Sequence, residues 1–490
     1  MVVAQESNVD YESLAYSEMK VRRALPRVLM GGTPTIREKG KLYLPQQPAE
    51  DDNHYATRLK NAVLRNYYRR TVETLTGKIF SKPIVFHDVP EPLRRYLADN
   101  VDLTGRNLHS FARSAFRDAL IDGISYILVD FPPTQEELSL AQEREQGKRP
   151  YCVQLESSKV IGWFTETVGE AEVLVEVRIR EVYRKRSTEH GLYGEEEITR
   201  VRILRPGTWE VWETNGEAGW SMVGSGKFSL NFIPLIPIYT SRTRFMEAEP
   251  PLEDLAYMNL EHYQIRSDQR NALSVASWPL FAAVGYDKET EGERLVIGPN
   301  KALTSSDPNT KFHFVESAGN HLAAGDRELK NLEADMRLFG LQFEVDKATA
   351  ESATGRALDN AEGVAPLMAW ALSLEDSLNT MLVYMGAWIG IAPEDVGTIE
   401  VNKDFGMSLK DQGEIEALLR SRQAGDISQE TFLTELKRRG FFGDDFNVEV
   451  EMTRIENEGP VGGDFSNRGV QGQGSLAPLV NAEDAASGNI

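Results

Sequence analysis

The stretch from Pro250 to Ile389 leaves the chain the fewest choices of fold, because helix, insert, helix, polar gap and long helix follow one another without a spacer. Pro250-Pro251 suits a helix start, and Glu253 and Asp254 place negative charge in the first turn, where the backbone dipole favours it. Leu252, Leu255, Ala256, Leu260 and Tyr263 then recur at helical spacing, which predicts a helix from Leu252 to Val275, ended by Trp278-Pro279. At a rise of about 1.5 Å per residue it spans roughly 35 Å. The insert from Gly285 to His321 has turn signals at Gly298-Pro299-Asn300 and Asp307-Pro308-Asn309. With strand-like runs such as Lys311 to Val315, it reads as a small β-rich excursion. A second helix from Asp326 to Phe343 follows, its apolar face formed by Leu329, Leu332, Met336, Phe339 and Phe343.

From Glu344 to Arg356 the residues are small and polar with no core face, which predicts an exposed loop. Helicity resumes near Ala357 and is disturbed at Gly363 and Pro366. It then settles into a stripe of Leu367, Ala371, Leu374, Leu378, Met381, Met385 and Trp388. Alternating steps of four and three mark a packing seam, closed by Gly390 and Pro393.

This order of parts, with the loop Ser352-Ala353-Thr354-Gly355-Arg356-Ala357-Leu358, resembles the stem, clip, tunnel loop and wing helix of tailed-bacteriophage portal proteins, the head-tail connectors. Upstream, Tyr68-Arg69-Arg70-Thr71-Val72 and Gly77-Lys78-Ile79-Phe80-Ser81-Lys82-Pro83 resemble a branch of the same family, and the similar parts run from Asp51 to Gly440. No single motif is diagnostic; the order carries the resemblance.

The resemblance implies an α+β, portal-like fold with an α/β wing, a helical stem, a small β-rich clip and a helical crown. Residues 1–50 become an N-terminal arm, 51–249 the wing, 250–284 and 323–343 the stem helices, 285–322 the clip and 344–355 the tunnel loop. Residues 356–407 become a kinked wing helix with a return strand, 408–445 the crown, and 446–490 a C-terminal strand and disordered tail. The implied function is a homo-oligomeric ring, dodecameric in the family, at one capsid vertex, through which viral double-stranded DNA is packaged and ejected. Implied partners are the packaging terminase ATPase, the major capsid and scaffolding proteins, tail adaptor proteins and non-specifically passing DNA. The implied location is the virion, with assembly in the host cytoplasm. Glu344, Asp346, Lys347, Thr349, Glu351, Ser352, Thr354 and Arg356 would face the DNA channel, and Leu255, Leu260, Tyr263, Leu332, Met336 and Phe339 would form the oligomer contact of the stem.

With 490 residues the chain has room for two to four domains. No apolar run approaches the roughly 20 residues of a membrane span. Met1 to Tyr11 lacks the basic start and apolar middle of a signal peptide, so folding in a cytosol is expected. Cys152 is the single cysteine, which excludes an intrachain disulfide and a cysteine zinc cluster; within the strand-like run Tyr151 to Leu155 it reads as core. Lysines and arginines number 54 against 75 acids, a net charge of −21. A protein that grips nucleic acid is usually basic. An acidic channel wall instead repels phosphates at every register and suits sliding; solubility alone is the competing explanation.

Residues Met1 to Ala49 show no sustained periodicity, and the basic cluster Arg22, Arg23 and Arg27 reads as a solvated arm. A helix is predicted from Asp51 to Phe80, a shorter one over Glu91 to Ala98, and one from Asn107 to just before Gly123, leading into a strand at Tyr126 to Val129. Period-two runs between Tyr151 and Tyr239 predict an antiparallel sheet, with Trp209, Trp212 and Trp220 as its cover. After Gly390 come a strand at Thr398 to Val401 and helices at Leu409 to Ser421 and Gln429 to Arg439, the latter capped by Ser428.

The chain has no phosphate-binding glycine loop, no dinucleotide fingerprint and no zinc-protease or calcium-loop pattern, and its histidines are scattered. The expectation is therefore no catalytic residue, metal or cofactor. Two other readings stay open here: a non-viral oligomeric hub built on the helix pair, and an acidic α/β enzyme of unrecognised class.

Overall fold

Gly123 sets the centre of the architecture. In the computed structural model, α5 (Leu108–Asp122) begins with the Asn107 side chain accepting the Ser110 backbone N–H at 2.9 Å and ends where Gly123 takes a left-handed φ of 86°. A Cβ at Gly123 would overlap the backbone of Glu249, so only glycine fits this reversal. The chain drops directly into β2 (Ile124–Asp130), the middle strand of an antiparallel sheet ordered β3 (Tyr151–Glu156), β2, β9 (Leu235–Tyr239).

Alternation divides that sheet. Ile127, Val129, Cys152, Ile236 and Ile238 face the helical core, while Tyr126, Leu128, Leu155 and Leu235 face a second sheet. The second sheet is an antiparallel meander of β4 (Val160–Val168), β5 (Ala171–Arg186), β6 (Glu195–Arg205), β7 (Thr208–Thr214) and β8 (Trp220–Lys227). The single antiparallel sheet expected between Tyr151 and Tyr239 is thus two, because β3 and β9 pair with β2 rather than with the meander. Trp212 and Trp220 pack on the meander's outer face with Val9, Tyr16 and Ile161, and Trp209 packs on its inner face, all as sheet cover.

The structure describes residues 8–132, 148–186, 193–214, 219–277, 280–285, 308–315, 320–340, 353–403, 405, 412–438, 442 and 446–458. Residues up to Phe405 form one unit and those from Gly406 another.

Helices build the remaining layer of the first unit. α1 (Leu14–Glu38) corrects the expectation of a solvated arm: Tyr16, Met19, Leu25, Val28, Leu29 and Ile36 are buried. Arg23 is buried too, and Arg22 and Arg27 are paired with acids far away in sequence. The predicted helix Asp51 to Phe80 is two, α2 (Asp52–Asn61) and α3 (Tyr67–Ile79). Between them Ala62 turns extended, its carbonyl taken by Arg37, and Asn66 caps α3 by accepting the Arg69 N–H at 2.8 Å. α4 (Glu91–Asp99) lies as predicted. Short ribbons pair β1 (Val85–His87) with β14 (Thr398–Glu400) and β10 (Arg242–Arg244) with β11 (Glu247–Ala248).

α6 (Glu253–Ala276), α7 (Asn320–Phe339) and α8 (Ala353–Ile389) follow the predicted order. The stripe Leu367, Ala371, Leu374, Leu378, Met381 and Met385 is buried, with Trp388 packed beside it. α8 also closes the free edge of β9: Trp370 Nε1, Ser373 Oγ and Ser377 Oγ donate to the carbonyls of Thr240, Tyr239 and Pro237 at 2.7, 3.0 and 3.0 Å. Among the described residues no helix is long and apolar enough to cross a membrane.

The second unit holds α9 (Gln412–Ala424), α10 (Gln429–Arg438) and α11 (Val448–Glu458). Ser428 caps α10 as expected, accepting the Thr431 N–H at 3.1 Å. α11 corrects the expected C-terminal strand: Val448, Val450 and Met452 alternate like a strand, but Asn447 accepts the Glu449 and Val450 N–H groups and so starts a helix.

Candidate functional site

The helix pair α6 and α7 was expected to carry the function, and the two pack side by side, running antiparallel. His262 Nε2 meets Glu333 at 3.1 Å, and Gln269 Nε2 donates to the Leu322 carbonyl at 2.6 Å, so moving outward along α6 means moving back along α7. A Cβ on Gly325 would overlap the Gln269 amide, which places the helices at close approach there. The far end continues as an antiparallel ribbon, β12 (Leu280–Val284) against β13 (Lys311–Val315), with Leu280 opposite Val315 and Val284 opposite Lys311. The strand predicted at Lys311 to Val315 is present; Gly298-Pro299-Asn300 lies outside the described residues.

Polar side chains fix the base of this hairpin. Buried Asn259 bridges to the start of α3, its Oδ1 accepting the Tyr68 N–H at 3.0 Å and its Nδ2 donating to the Arg65 carbonyl at 2.8 Å. Glu333 on α7 accepts from the Arg65 guanidinium at 2.8 Å and from His262. The Tyr67 ring lies edge-on to His262, centroids 5.5 Å apart. Burial holds the His262 imidazole below its ordinary pKa, overriding the neighbouring carboxylate. At Glu333 burial pushes the other way but loses to the hydrogen bonds from His262, Arg65 and Tyr67, leaving the carboxyl below its usual value. On α6's flank, Arg58 joins Glu50 at 2.7 Å to Asp268 at 3.2 Å, and Gln264 Nε2 donates to the Tyr43 carbonyl at 2.9 Å.

Of the residues expected at a contact between stems, Leu255, Tyr263, Leu332 and Met336 are buried inside this chain's own core and Leu260 is half-buried against it. Only Phe339 stands out in solvent, 53% exposed. Periodicity marks apolar faces of α6 and α7 that the chain's own core covers, Tyr263 beside Arg37, Tyr55 and Arg58 rather than beside α7. The apolar groups left open on the hairpin are Tyr257, Leu273, Val284, Leu338 and Phe339, and Leu338 reaches 60% exposure. Leu273 and Leu338 lie off the predicted stripes, whereas Phe339 lies on one and is open nonetheless.

Glu344, Asp346, Lys347, Thr349, Glu351 and Ser352, expected to face a channel, lie outside the described residues. Thr354 and Arg356 do not sit in a loop: α8 already runs from Ala353. Gly355 costs a helix about 1 kcal/mol relative to alanine, too little to delay the start of one this long, since each added residue contributes a further hydrogen bond. The second helix likewise starts at Asn320, ahead of the expected Asp326, and ends at Phe339; Phe343 lies outside the described residues.

A cluster of buried charge ties α1, α5 and β3 together. Arg27 holds Asp122 through two hydrogen bonds, 2.8 and 2.5 Å, and Glu156 at 3.0 Å. Ser157 Oγ donates to Asp122 at 2.5 Å and accepts from Arg23, whose guanidinium lies 4.4 Å from the Tyr16 ring centre. Asp118, one turn before Asp122, accepts from Gln154 at 2.6 Å, and burial pushes its carboxyl up to about 6. This arrangement is a tie between layers, since Arg27, Asp122, Glu156 and Ser157 are bonded to one another across α1, α5 and β3. Burial also raises the Cys152 thiol, which packs against Met385 as a core residue. Among the described residues no group of three or more His, Cys, Asp or Glu is placed to hold a metal ion.

Residues 251–389 match a family model described as a domain of unknown function, DUF4055. The match therefore runs from the start of α6 to the last residue of α8. No curated protein matches the chain. Among solved structures, the chain is similar to one in the virion of a native gene transfer agent (GTA) particle, at TM-score 0.40 and 12% identity over 82% of this chain and 98% of that one. It is similar to one in the neck of an empty GTA particle with C6 symmetry, at TM-score 0.40 and 13% identity over 76% and 89%. A third lies in the neck of a native GTA particle with C12 symmetry, at TM-score 0.39 and 13% identity over 82% and 98%.

Proposed function

We propose that the chain is a portal subunit, a non-enzymatic structural protein. Copies of it surround the channel at one capsid vertex, through which double-stranded DNA enters and leaves. The observation that carries this reading is the α6–α7 hairpin with its β12–β13 ribbon. From Asp268 outward on α6, and from Leu322 to Asn331 on α7, every described side chain is half-buried or exposed. The hairpin nonetheless carries open apolar groups at Leu273, Val284, Leu338 and Phe339. Such a face is stabilised by a different, complementary face of a neighbouring copy, and a repeated head-to-tail contact of this kind forms a ring where its rotation closes.

In this reading α6 and α7 are the stem, the ribbon is part of the clip that docks the terminase ATPase and then the tail adaptor, and α8 is the wing helix. Residues 344–352 face the channel with mixed sign. The net charge of −21 keeps DNA sliding rather than held. The family's copy number implies twelve subunits. Replacing Leu338 and Phe339 together by Glu tests the contact, because both are exposed and their loss leaves the subunit core intact. Mass measurement in solution should give a closed oligomer for the native chain and a monomer for the variant. A native chain that stays monomeric, or a variant of unchanged mass, overturns the proposal.

A further inference from the structure

α7 packs along α6, and what it meets in the body of the chain is the start of α3. Arg65, just before α3, reaches Glu333 at 2.8 Å; the Tyr67 hydroxyl also hydrogen-bonds Glu333; and Gly340 lies so close to Thr71 that a Cβ there would overlap its side chain. Arg65 is itself gripped from the other helix, since its carbonyl accepts from Asn259 on α6. One residue thereby holds both helices, α6 through its backbone and α7 through its side chain.

We propose that Arg65 and Glu333 form a latch that sets the angle at which α7 leaves the body, and with it the position from which the chain departs at Gly340. The carboxylate is suited to this, being largely enclosed while Arg65 stays half in solvent, with side-chain exposures of 17% and 52%. Arg65 is therefore readily rehydrated when the pair opens, and its release carries little penalty. Glu333 also accepts from His262, a fully buried imidazole whose Nδ1 has no hydrogen-bond partner among the described residues. Losing the carboxylate would leave this ring without either bond, so the buried side of the latch opens at a larger penalty than the exposed side. Arg65 is the releasable arm and Glu333 the fixed one. The charged and titratable groups that meet here are Arg65, Tyr67, His262 and Glu333, with Arg337 and Lys330 of α7 close enough to act on Tyr67 and Glu333.

The inference concerns motion within one subunit and does not rest on ring formation. Amide hydrogen exchange on the full chain tests it, comparing the native protein with Arg65→Met and Glu333→Gln under identical conditions. Exchange in residues 320–340 should accelerate about threefold in Arg65→Met and about tenfold or more in Glu333→Gln, while α5 and β2 keep their native rates. Arg65→Met removes a surface arm and leaves the His262–Glu333 bond in place, so it reads the latch even if Glu333→Gln folds poorly. Unchanged exchange in α7 of the Arg65→Met chain, or equal acceleration in α7 and β2, overturns the proposal.

Discussion

Asp118 and Asp122 lie one turn apart on α5, yet removing their charges should have opposite effects. Folded, Asp118 keeps its proton up to about pH 6, against 3.8 for an ordinary aspartate, because burial disfavours its ionised form. The unfolded chain therefore binds fewer protons than the folded one between these values, and stability falls as pH rises from about 4 to 6 and stays reduced above. At about 1.4 kcal/mol per pH unit the penalty at neutral pH is roughly 3 kcal/mol, and the side chain is buried enough for solvent to screen little of it. Asp118→Asn keeps an oxygen for the Gln154 amide and should gain up to about 3 kcal/mol at pH 7.5 and almost nothing at pH 4. Asp122→Asn breaks the pair with Arg27 and should lose roughly 2–4 kcal/mol, less than a fully enclosed pair because Arg27 keeps some water. Denaturant midpoints of the three chains at both pH values measure this. An Asp118→Asn chain no more stable at pH 7.5, or equally stabilised at pH 4, refutes the assignment of burial as the cause.

The base of the hairpin offers a second perturbation: Asn259→Ala leaves the Tyr68 N–H and the Arg65 carbonyl without their partner and should cost about 1–3 kcal/mol, read from the same midpoints. Glu at Leu338 and Phe339 should dissolve assembly while leaving circular dichroism unchanged. Removing residues 348–353 should leave assembly mass intact yet reduce the DNA packaged or retained by particles; unchanged packaging takes that segment out of the mechanism.

The legible parts of the fold were those whose own spacing and end signals are unbroken. α5 announced itself through Asn107, its apolar spacing and Gly123, and α8 through a stripe that the structure buries almost residue for residue. α1 was not legible, because Gly32 and two prolines interrupt its pattern and its arginines look solvated until Asp122 and Glu156, about a hundred residues away, are brought beside them. The apolar faces of the two helices were legible as buried faces. Whether Leu255 or Met336 meets its own chain or a neighbour is not written in a period of three or four, since both partners demand the same spacing. The latch was hidden for a related reason: Arg65, His262 and Glu333 belong to three separate segments, and nothing local marks them as one group.

Electron micrographs of the purified chain test the central claim most directly. Views down the symmetry axis should show a closed ring of hairpins around an opening wide enough for a B-form duplex, with the α7–α8 junction nearest the axis. Single compact subunits, or assemblies with a filled centre and that junction on the outside, would contradict it.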